Sequence, residues 1–278
     1  MTYCLGMLCR SGAVLLSDSR TSAGMDNITM RSKMRIFEKP GERVICITSS
    51  GNLSLTQATL ALIDEDVLLA GNERGRENIM NRQTLYETVR YIGSKVREVE
   101  KRDRASLEAD GFDFNINLII GGQIAGLVPE IHLIYPQGNS IHATPDCPFL
   151  QIGETKYGKP ILDRGFDYET DLCDAVKFGI VSIDATMQSN VSVGPPIDVL
   201  CYETDSLQAN LRMRLDEDDP YLMEIGRKWQ DGVTRLVNQM PAPNFGKATL
   251  RSVLPHPSVG TDTPAAITRP AAASGGSR

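Results

Sequence analysis

Met1-Thr2-Tyr3-Cys4-Leu5-Gly6 opens the chain, and its reading decides the rest when it is set beside Leu16-Ser17-Asp18-Ser19-Arg20, Arg31-Ser32-Lys33-Met34 and Ser49-Ser50-Gly51-Asn52. Threonine is small enough at the second position to permit removal of the initiator methionine, so the expectation is a mature chain that begins at Thr2 with no propeptide to cut. That residue then carries a hydroxyl nucleophile and a free α-amine to serve as its base. An ordinary α-amine has a pKa of about 7.7–8.0, so much of it is neutral close to physiological pH. A lysine ammonium held nearby depresses it further, and an aspartate would orient that lysine. Asp18 follows an apolar run, Lys33 opens the next strand, and the Ser-Ser-Gly turn at Gly51 starts a helix, where main-chain N–H groups can face an oxyanion.

Composition narrows the function classes. Against 29 Lys and Arg stand 35 Asp and Glu, a net charge of −6 in 278 residues, which argues against nucleic-acid binding. Basic runs such as Lys101-Arg102-Asp103-Arg104 contain acids and read as solvated helix face. No apolar run approaches the roughly 18 residues of a membrane span, and the start lacks the basic-then-apolar layout of a signal peptide. The six cysteines (4, 9, 46, 147, 173 and 201) form no CxxC pair; several lie in apolar runs and read as buried free thiols in a reducing cytoplasm.

Several other chemistries find no support. The three histidines, 132, 142 and 256, show no zinc-ligand spacing. There is no GxSxG elbow. Gly121-Gly122-Gln123-Ile124-Ala125-Gly126 lacks a Walker lysine and a following helix, and reads as a strand end and turn. Asp216-Glu217-Asp218-Asp219 reads as helix cap and dipole partner rather than a metal site. No cofactor and no metal are expected.

Periodicity sets the architecture. Strands are expected over 2–8, 13–18, 34–38 and 43–49. A helix capped by Asn52 ends at Gly71-Asn72, with Leu53, Leu60, Ile63 and Val67 as its stripe. A second starts near Thr84 and buries Leu85, Val89, Ile92, Val96 and Val99. Strands return over 116–122, 130–135 and 149–152. A helix then carries Leu172, Val176, Gly179, Ile183 and Met187, with Ala175 and Gly179 small enough for close helix packing. Strands over 197–202 and 208–214 precede a last helix that starts at Asp219-Pro220 and is expected to bury Leu222, Ile225, Trp229, Val233 and Leu236. Runs of strands, then helices, then strands argue for an α+β fold rather than a doubly wound sheet. Two antiparallel sheets stacked face to face, flanked by helices in a four-layer αββα sandwich, would bury these stripes. The domain is expected over 1–240, with 241–278 a Pro/Ala/Ser/Gly-rich disordered tail.

The quoted blocks, with Thr21-Ser22-Ala23-Gly24 following Arg20, resemble the N-terminal threonine hydrolases of the proteasome β-subunit superfamily (N-terminal nucleophile hydrolases). They are most like the bacterial group called Anbu, the predicted proteasome-type proteases. The resemblance spans about residues 2–240. It implies Thr2 as nucleophile and, through its amine, base; Lys33 as the group that lowers the amine's pKa; Asp18 as the holder of Lys33; and the Gly51 N–H as oxyanion donor. Ser189-Asn190-Val191-Ser192-Val193-Gly194 aligns with the acid-x-x-serine-glycine-glycine motif around the terminal amine, so Ser189 takes the acid position and Ser192 the serine position. In Gly153-Glu154-Thr155, Glu154 stands where the family has a serine. The function implied is hydrolysis of peptide or other amide bonds through an acyl ester on Thr2, in a cytoplasmic protein that self-associates into a ring or a spiral. A small-amide hydrolase and a non-catalytic self-assembling scaffold are the alternatives.

Overall fold

The computed structural model of the chain describes residues 2–22, 28–73 and 75–244. In chain order its strands are β1 (Tyr3–Cys9), β2 (Gly12–Asp18), β3 (Arg20–Ser22), β4 (Ile28–Met30), β5 (Met34–Lys39), β6 (Arg43–Gly51), β7 (Ile116–Ile124), β8 (Glu130–Ile134), β9 (Ser140–His142), β10 (Phe149–Gly153), β11 (Ile197–Glu203) and β12 (Leu211–Leu215). The helices are α1 (Leu53–Leu69), α2 (Leu85–Ala109), α3 (Lys159–Gly165), α4 (Leu172–Ser189) and α5 (Pro220–Gln239).

Two five-stranded antiparallel sheets, ordered β10-β1-β2-β11-β12 and β5-β6-β7-β8-β9, carry the fold, and β3 pairs with β4 in a separate hairpin. Every residue of β1 and β2 is buried. The reason is that both faces of the sheet are covered. Tyr3, Leu5, Met7 and Cys9 join α3 and α4 in one core, while Cys4 and Leu8 enter another that is shared with Val44, Cys46 and Ile119 of the second sheet. A third core packs α1 and α2 on the far face of β6, β7 and β8. The layers are therefore helix, sheet, sheet, helix, as the pattern of stripes implied. Glycines set the sheet spacing: a Cβ on Gly6 would lie 2.9 Å from methyls of Ile119 and Ile131, and one on Gly121 would lie 2.9 Å from Leu15. A polar latch crosses the same layer, where the Tyr202 hydroxyl donates to Gln123 Oε1 at 2.6 Å.

Helix starts follow local chemistry. Asn52 Oδ1 accepts from the Ser54 N–H at 2.9 Å, Thr84 Oγ1 from the Glu87 N–H at 3.1 Å, and Asp171 Oδ1 from the Asp174 N–H at 3.0 Å. Asp219 caps α5 as read, through the Tyr221 N–H at 2.9 Å. The polar stretch between α1 and α2 is tied down by buried Asp66, whose carboxylate takes Arg76, Tyr91 and Lys95 together.

Several expectations need correction. Of the α1 stripe, Ile63 is buried and Leu60 and Val67 pack partly on the same core, but Leu53 is exposed; Leu55, Thr56, Thr59 and Asp66 complete the buried face, and the polar three hid it. Gly179 serves close packing against the sheet, where a Cβ would lie 2.6 Å from Leu16 Cδ1, rather than against a helix. The hairpin β3–β4, strand β9 and helix α3 are elements of three to seven residues without periodicity to announce them. Strand β12 begins at Leu211, not at 208. Helix α5 buries only Leu222 and packs Ile225 partly; Trp229 and Val233 are 40% and 42% exposed, and Leu236 is exposed too. Cys147 and Cys173 are exposed, while Cys4, Cys9 and Cys46 are buried, and all six cysteines are free. The compact unit of the described chain ends at Arg235, within the last turns of α5. Of the tail expected over 241–278, residues 245–278, His256 among them, lie outside the described residues.

Gly93 of α2 gives a test of this packing. A Cβ there would lie 2.2 Å from the carbonyl oxygen of Gly138, in the turn between β8 and β9. Backbone cannot yield as a side-chain tip does. Gly93→Ala is expected to destabilise by about 1–3 kcal/mol despite alanine's helix propensity. Gly179→Ala meets only a leucine methyl and should cost less, offset by a propensity gain of about 1 kcal/mol. Urea denaturation of the two variants checks the order.

Candidate active site

Register brings the quoted blocks together. Cys4 pairs with Ser17 in the β1–β2 ladder, so the next step along the strands sets Tyr3 against Asp18 at the end of β2. The Tyr3 N–H donates to Asp18 Oδ1 at 3.0 Å. Thr2, half-buried, is the residue just before β1. Asp18 is fully buried, and the same Oδ1 takes Lys33 Nζ at 2.7 Å. Lys33 also donates to the Arg20 carbonyl at 2.6 Å, and its side chain is 8% exposed. Its main-chain carbonyl accepts from the Ser49 N–H at 3.2 Å, which fixes the lysine to β6.

A buried ion pair is expensive to assemble, so its presence here requires partners that hold it. Burial raises the Asp18 pKa, and it is the largest influence; Lys33, through its charge and its hydrogen bond, and the Tyr3 and Gly194 amides act against that rise. Cys4 lies beside the pair with its thiol on the Ser49 carbonyl at 3.4 Å, and burial pushes that thiol up to about 12, so it is an inert packing group. Tyr3 points to the other face. Its hydroxyl lies 2.5 Å from Ser182 Oγ and accepts from Gln151 Nε2 at 2.7 Å, which anchors the start of β1 to α4 and β10.

Gly51 ends β6 at φ +107°, and a Cβ there would lie 2.3 Å from the Asn115 carbonyl oxygen. Only glycine fits, and the sharp exit lets Asn52 cap α1 directly. The segment after α4 is arranged differently from its reading. Ser189 is exposed and borders a groove of about 1280 Å³ between α4 and α5. The neighbouring Asn190 is the side chain that turns inward: its Nδ2 donates to Glu154 Oε2 at 3.0 Å and its Oδ1 accepts from the Ser192 N–H at 3.0 Å. Glu154 is buried, and its N–H donates to the Thr2 carbonyl at 2.7 Å. Sequence reasoning passed over Asn190, although it stood inside the aligned segment; a helix C-cap one residue on decides which side chain turns in.

Asp198 was also missed. It pairs next to the Ile197–Asp18 position of the β2–β11 ladder and gathers Ser19 Oγ at 3.1 Å, Ser32 Oγ at 2.7 Å and Arg214 at 2.6 Å. These groups fix the residues flanking Asp18 and Lys33, and Ser32, Asp198 and Arg214 line a cleft of about 480 Å³ between β5 and β11–β12. The groove against α5 is not lined by Thr2, Asp18 or Lys33. Charge placement identifies the site better than cavity size here, because a buried lysine–aspartate pair must be held in place, whereas a groove between helices needs nothing to hold it. His132 is buried on Glu130 Oε2 at 2.6 Å, and no cluster of metal-ligand type exists among the described residues.

No protein-family model matches the chain, and no curated protein does. Solved structures do. The chain is similar to Anbu (ancestral beta-subunit) from Yersinia bercovieri, at 42% identity over 88% of this chain and 100% of that one, with a TM-score of 0.81. A Gly-1 mutant of Anbu from Hyphomicrobium sp. strain MC1 matches at 37% identity, 88% and 100% coverage and a TM-score of 0.80. The helical assembly of the Anbu complex from Pseudomonas aeruginosa matches at 41% identity, 87% and 98% coverage and a TM-score of 0.81. With these identities over nearly the whole of each relative, and with the αββα layers already in view, the chain belongs to the Anbu family of proteasome-like proteins.

Proposed function

We propose that this protein is an N-terminal threonine hydrolase that cleaves peptide or other amide bonds. The observation that carries the reading is the buried Asp18–Lys33 pair, held against the Tyr3 N–H one residue from Thr2. Once Met1 is removed, the Thr2 hydroxyl attacks the amide carbon and its proton passes to the neutral Thr2 amine. The N–H of Gly51 faces the oxyanion. The C–N bond breaks as the ammonium returns the proton to the leaving amine, which leaves an acyl ester on Thr2. Water, deprotonated by the same amine, then releases the acid. Lys33 keeps enough of the amine neutral at working pH, and Asp18 keeps Lys33 charged. Ser192 belongs to the loop that Asn190 ties to Glu154, and Ser189 to its helical end.

Self-association completes the proposal. Helix α5 presents Met223, Trp229 and Val233 to solvent beside the groove on α4, an apolar face that the protomer leaves uncovered. A second copy of the chain is the occupant, consistent with the helical assembly of the Pseudomonas aeruginosa relative. Three buried free thiols support a reducing compartment, the cytoplasm. No described helix is long and apolar enough to cross a membrane. The exposed α5 face also favours a second reading, a non-catalytic scaffold with an idle terminal pocket.

The two readings part on one measurement. An epoxyketone, which reacts with hydroxyl and amine of one terminal residue, should add once to Thr2 by intact mass, and Lys33→Ala should take up none while keeping the wild-type circular dichroism spectrum. N-terminal sequencing that finds Met1 retained in an adduct-forming preparation, or undiminished adduct in Lys33→Ala, sinks the mechanism.

The ion pair should serve chemistry rather than stability. Removing one partner of a buried pair costs about 3–5 kcal/mol because the other charge is left uncompensated, a penalty that neutralising both avoids. Asp18→Asn or Lys33→Met alone should therefore lower the melting temperature, and the double variant should recover it without adduct formation. The raised Asp18 pKa fixes a sign as well. An acid that holds its proton more tightly when folded makes stability fall as pH rises from its ordinary value of 3.8 through its folded value. Relative to the double variant, the wild type should lose ground across that window in pH-resolved denaturation.

For the interface, Trp229→Glu should reduce the assembly to smaller species in sedimentation velocity. An unchanged distribution would place the contact elsewhere.

A further inference from the structure

The Asp18–Lys33 pair leaves one buried carboxylate at the site without a task. Strand β10 pairs with β1 through Tyr3 and Gly153, and one step further the Glu154 N–H still donates to the Thr2 carbonyl at 2.7 Å. Gly153 makes this approach possible: at φ +86°, its missing Cβ leaves room for the Thr2 carbonyl oxygen, which would otherwise lie 1.9 Å away. The Glu154 side chain is 7% exposed. Its one neutral partner is Asn190 Nδ2 at 3.0 Å, and its one cationic neighbour is Lys156 at 3.5 Å, a side chain that is itself 66% exposed. A buried carboxylate with so little compensation calls for a cation beside it.

Among the described residues, Lys156 alone lies within ion-pair distance of Glu154. Lys33 is spent on Asp18 and on the Arg20 carbonyl. Arg20 donates to the Val191 carbonyl at 2.9 Å and lies against Gly194, where a Cβ would meet its guanidinium at 2.4 Å. Position 189, aligned with an acid, holds an exposed serine that reaches none of these groups in a described hydrogen bond. The cation still to be supplied is the one that removal of Met1 creates at Thr2.

Resting on the threonine-hydrolase reading, we infer that Glu154, held by Asn190, receives the Thr2 α-ammonium and so stands in for the acid missing at position 189. It is a positioning residue. When the Thr2 hydroxyl gives its proton to the amine, the resulting ammonium is balanced by Glu154, and the proton leaves again with the departing amine. Asn190 ties this acid to the Ser192 loop, so the grip on the terminus and the closure of that loop are one structure. Glu154 and Lys33 then act on the amine in opposite senses: Glu154 raises its pKa and Lys33 lowers it.

The experiment reads the amine itself. Protein with Thr2 exposed by a cleavable leader is labelled with acetic anhydride across pH, and labelling of the N-terminal peptide is quantified by mass spectrometry. Glu154→Gln should lower the Thr2 amine pKa by about one unit, Lys33→Ala should raise it, and Asn190→Ala should lower it by less than Glu154→Gln does. If Glu154→Gln does not fold, the Asn190→Ala shift decides. An amine pKa unmoved by both substitutions overturns the inference. Epoxyketone addition to the wild type reports the hydrolase reading separately: addition with an unmoved amine pKa defeats only the role of Glu154, whereas a shifted amine pKa without addition defeats only the hydrolase.

Discussion

The hydrogen bond from the Tyr3 N–H to Asp18 Oδ1 is the constraint on which the candidate site depends. It joins the first residue of β1 to the last residue of β2, and the same oxygen carries Lys33. A single buried oxygen therefore fixes the start of the chain, the end of the second strand and the approach to the fifth. Had the ladder slipped by one residue, every side chain of β1 would change faces, Tyr3 would leave its partners on α4 and β10, and Asp18 would lose its amide. The burial that makes the pair costly also makes it effective, because a charge in a dry setting acts strongly on its neighbours.

Around that oxygen the rest of the fold acts as support. Two sheets face each other across a core of small and medium side chains, and Gly6 and Gly121 bring them close enough to shut water out. Asp198 holds Ser19 and Ser32 on the flanks, so the residues adjoining Asp18 and Lys33 are tied by polar contacts of their own. On the far side Tyr3 is clamped by Ser182 and Gln151. The start of β1 is thus held by side-chain contacts on both of its faces.

Helix α5 carries an apolar face that the protomer does not use. Its stripe is strongly apolar, yet past Leu222 and Ile225 the protomer leaves it to solvent. A periodic stripe states that a face must be covered and is silent on which chain covers it. That is why the stripe read as intramolecular core, and why a groove of about 1280 Å³ lies beside it without Thr2, Asp18 or Lys33 in its lining.

The sequence by itself determined the layer order. The runs of strands and helices, the caps at Asn52, Thr84 and Asp219, and the stripe of α2 are local signals, governed by hydrogen-bond partners within four residues and by side-chain period. The types of groups available for chemistry were equally legible, because Thr2, Asp18 and Lys33 each stand at the edge of an apolar run. Only the tertiary structure decided which of them meet, and how. Asn190 rather than Ser189 turns inward because α4 ends there and the chain leaves the helix. Glu154 reaches Thr2 because β10 pairs with β1 across about 150 intervening residues. Gly51, Gly93 and Gly153 are glycines because backbone from distant segments occupies the space where a Cβ would be. Such contacts are set by three-dimensional register, for which local pattern carries no code.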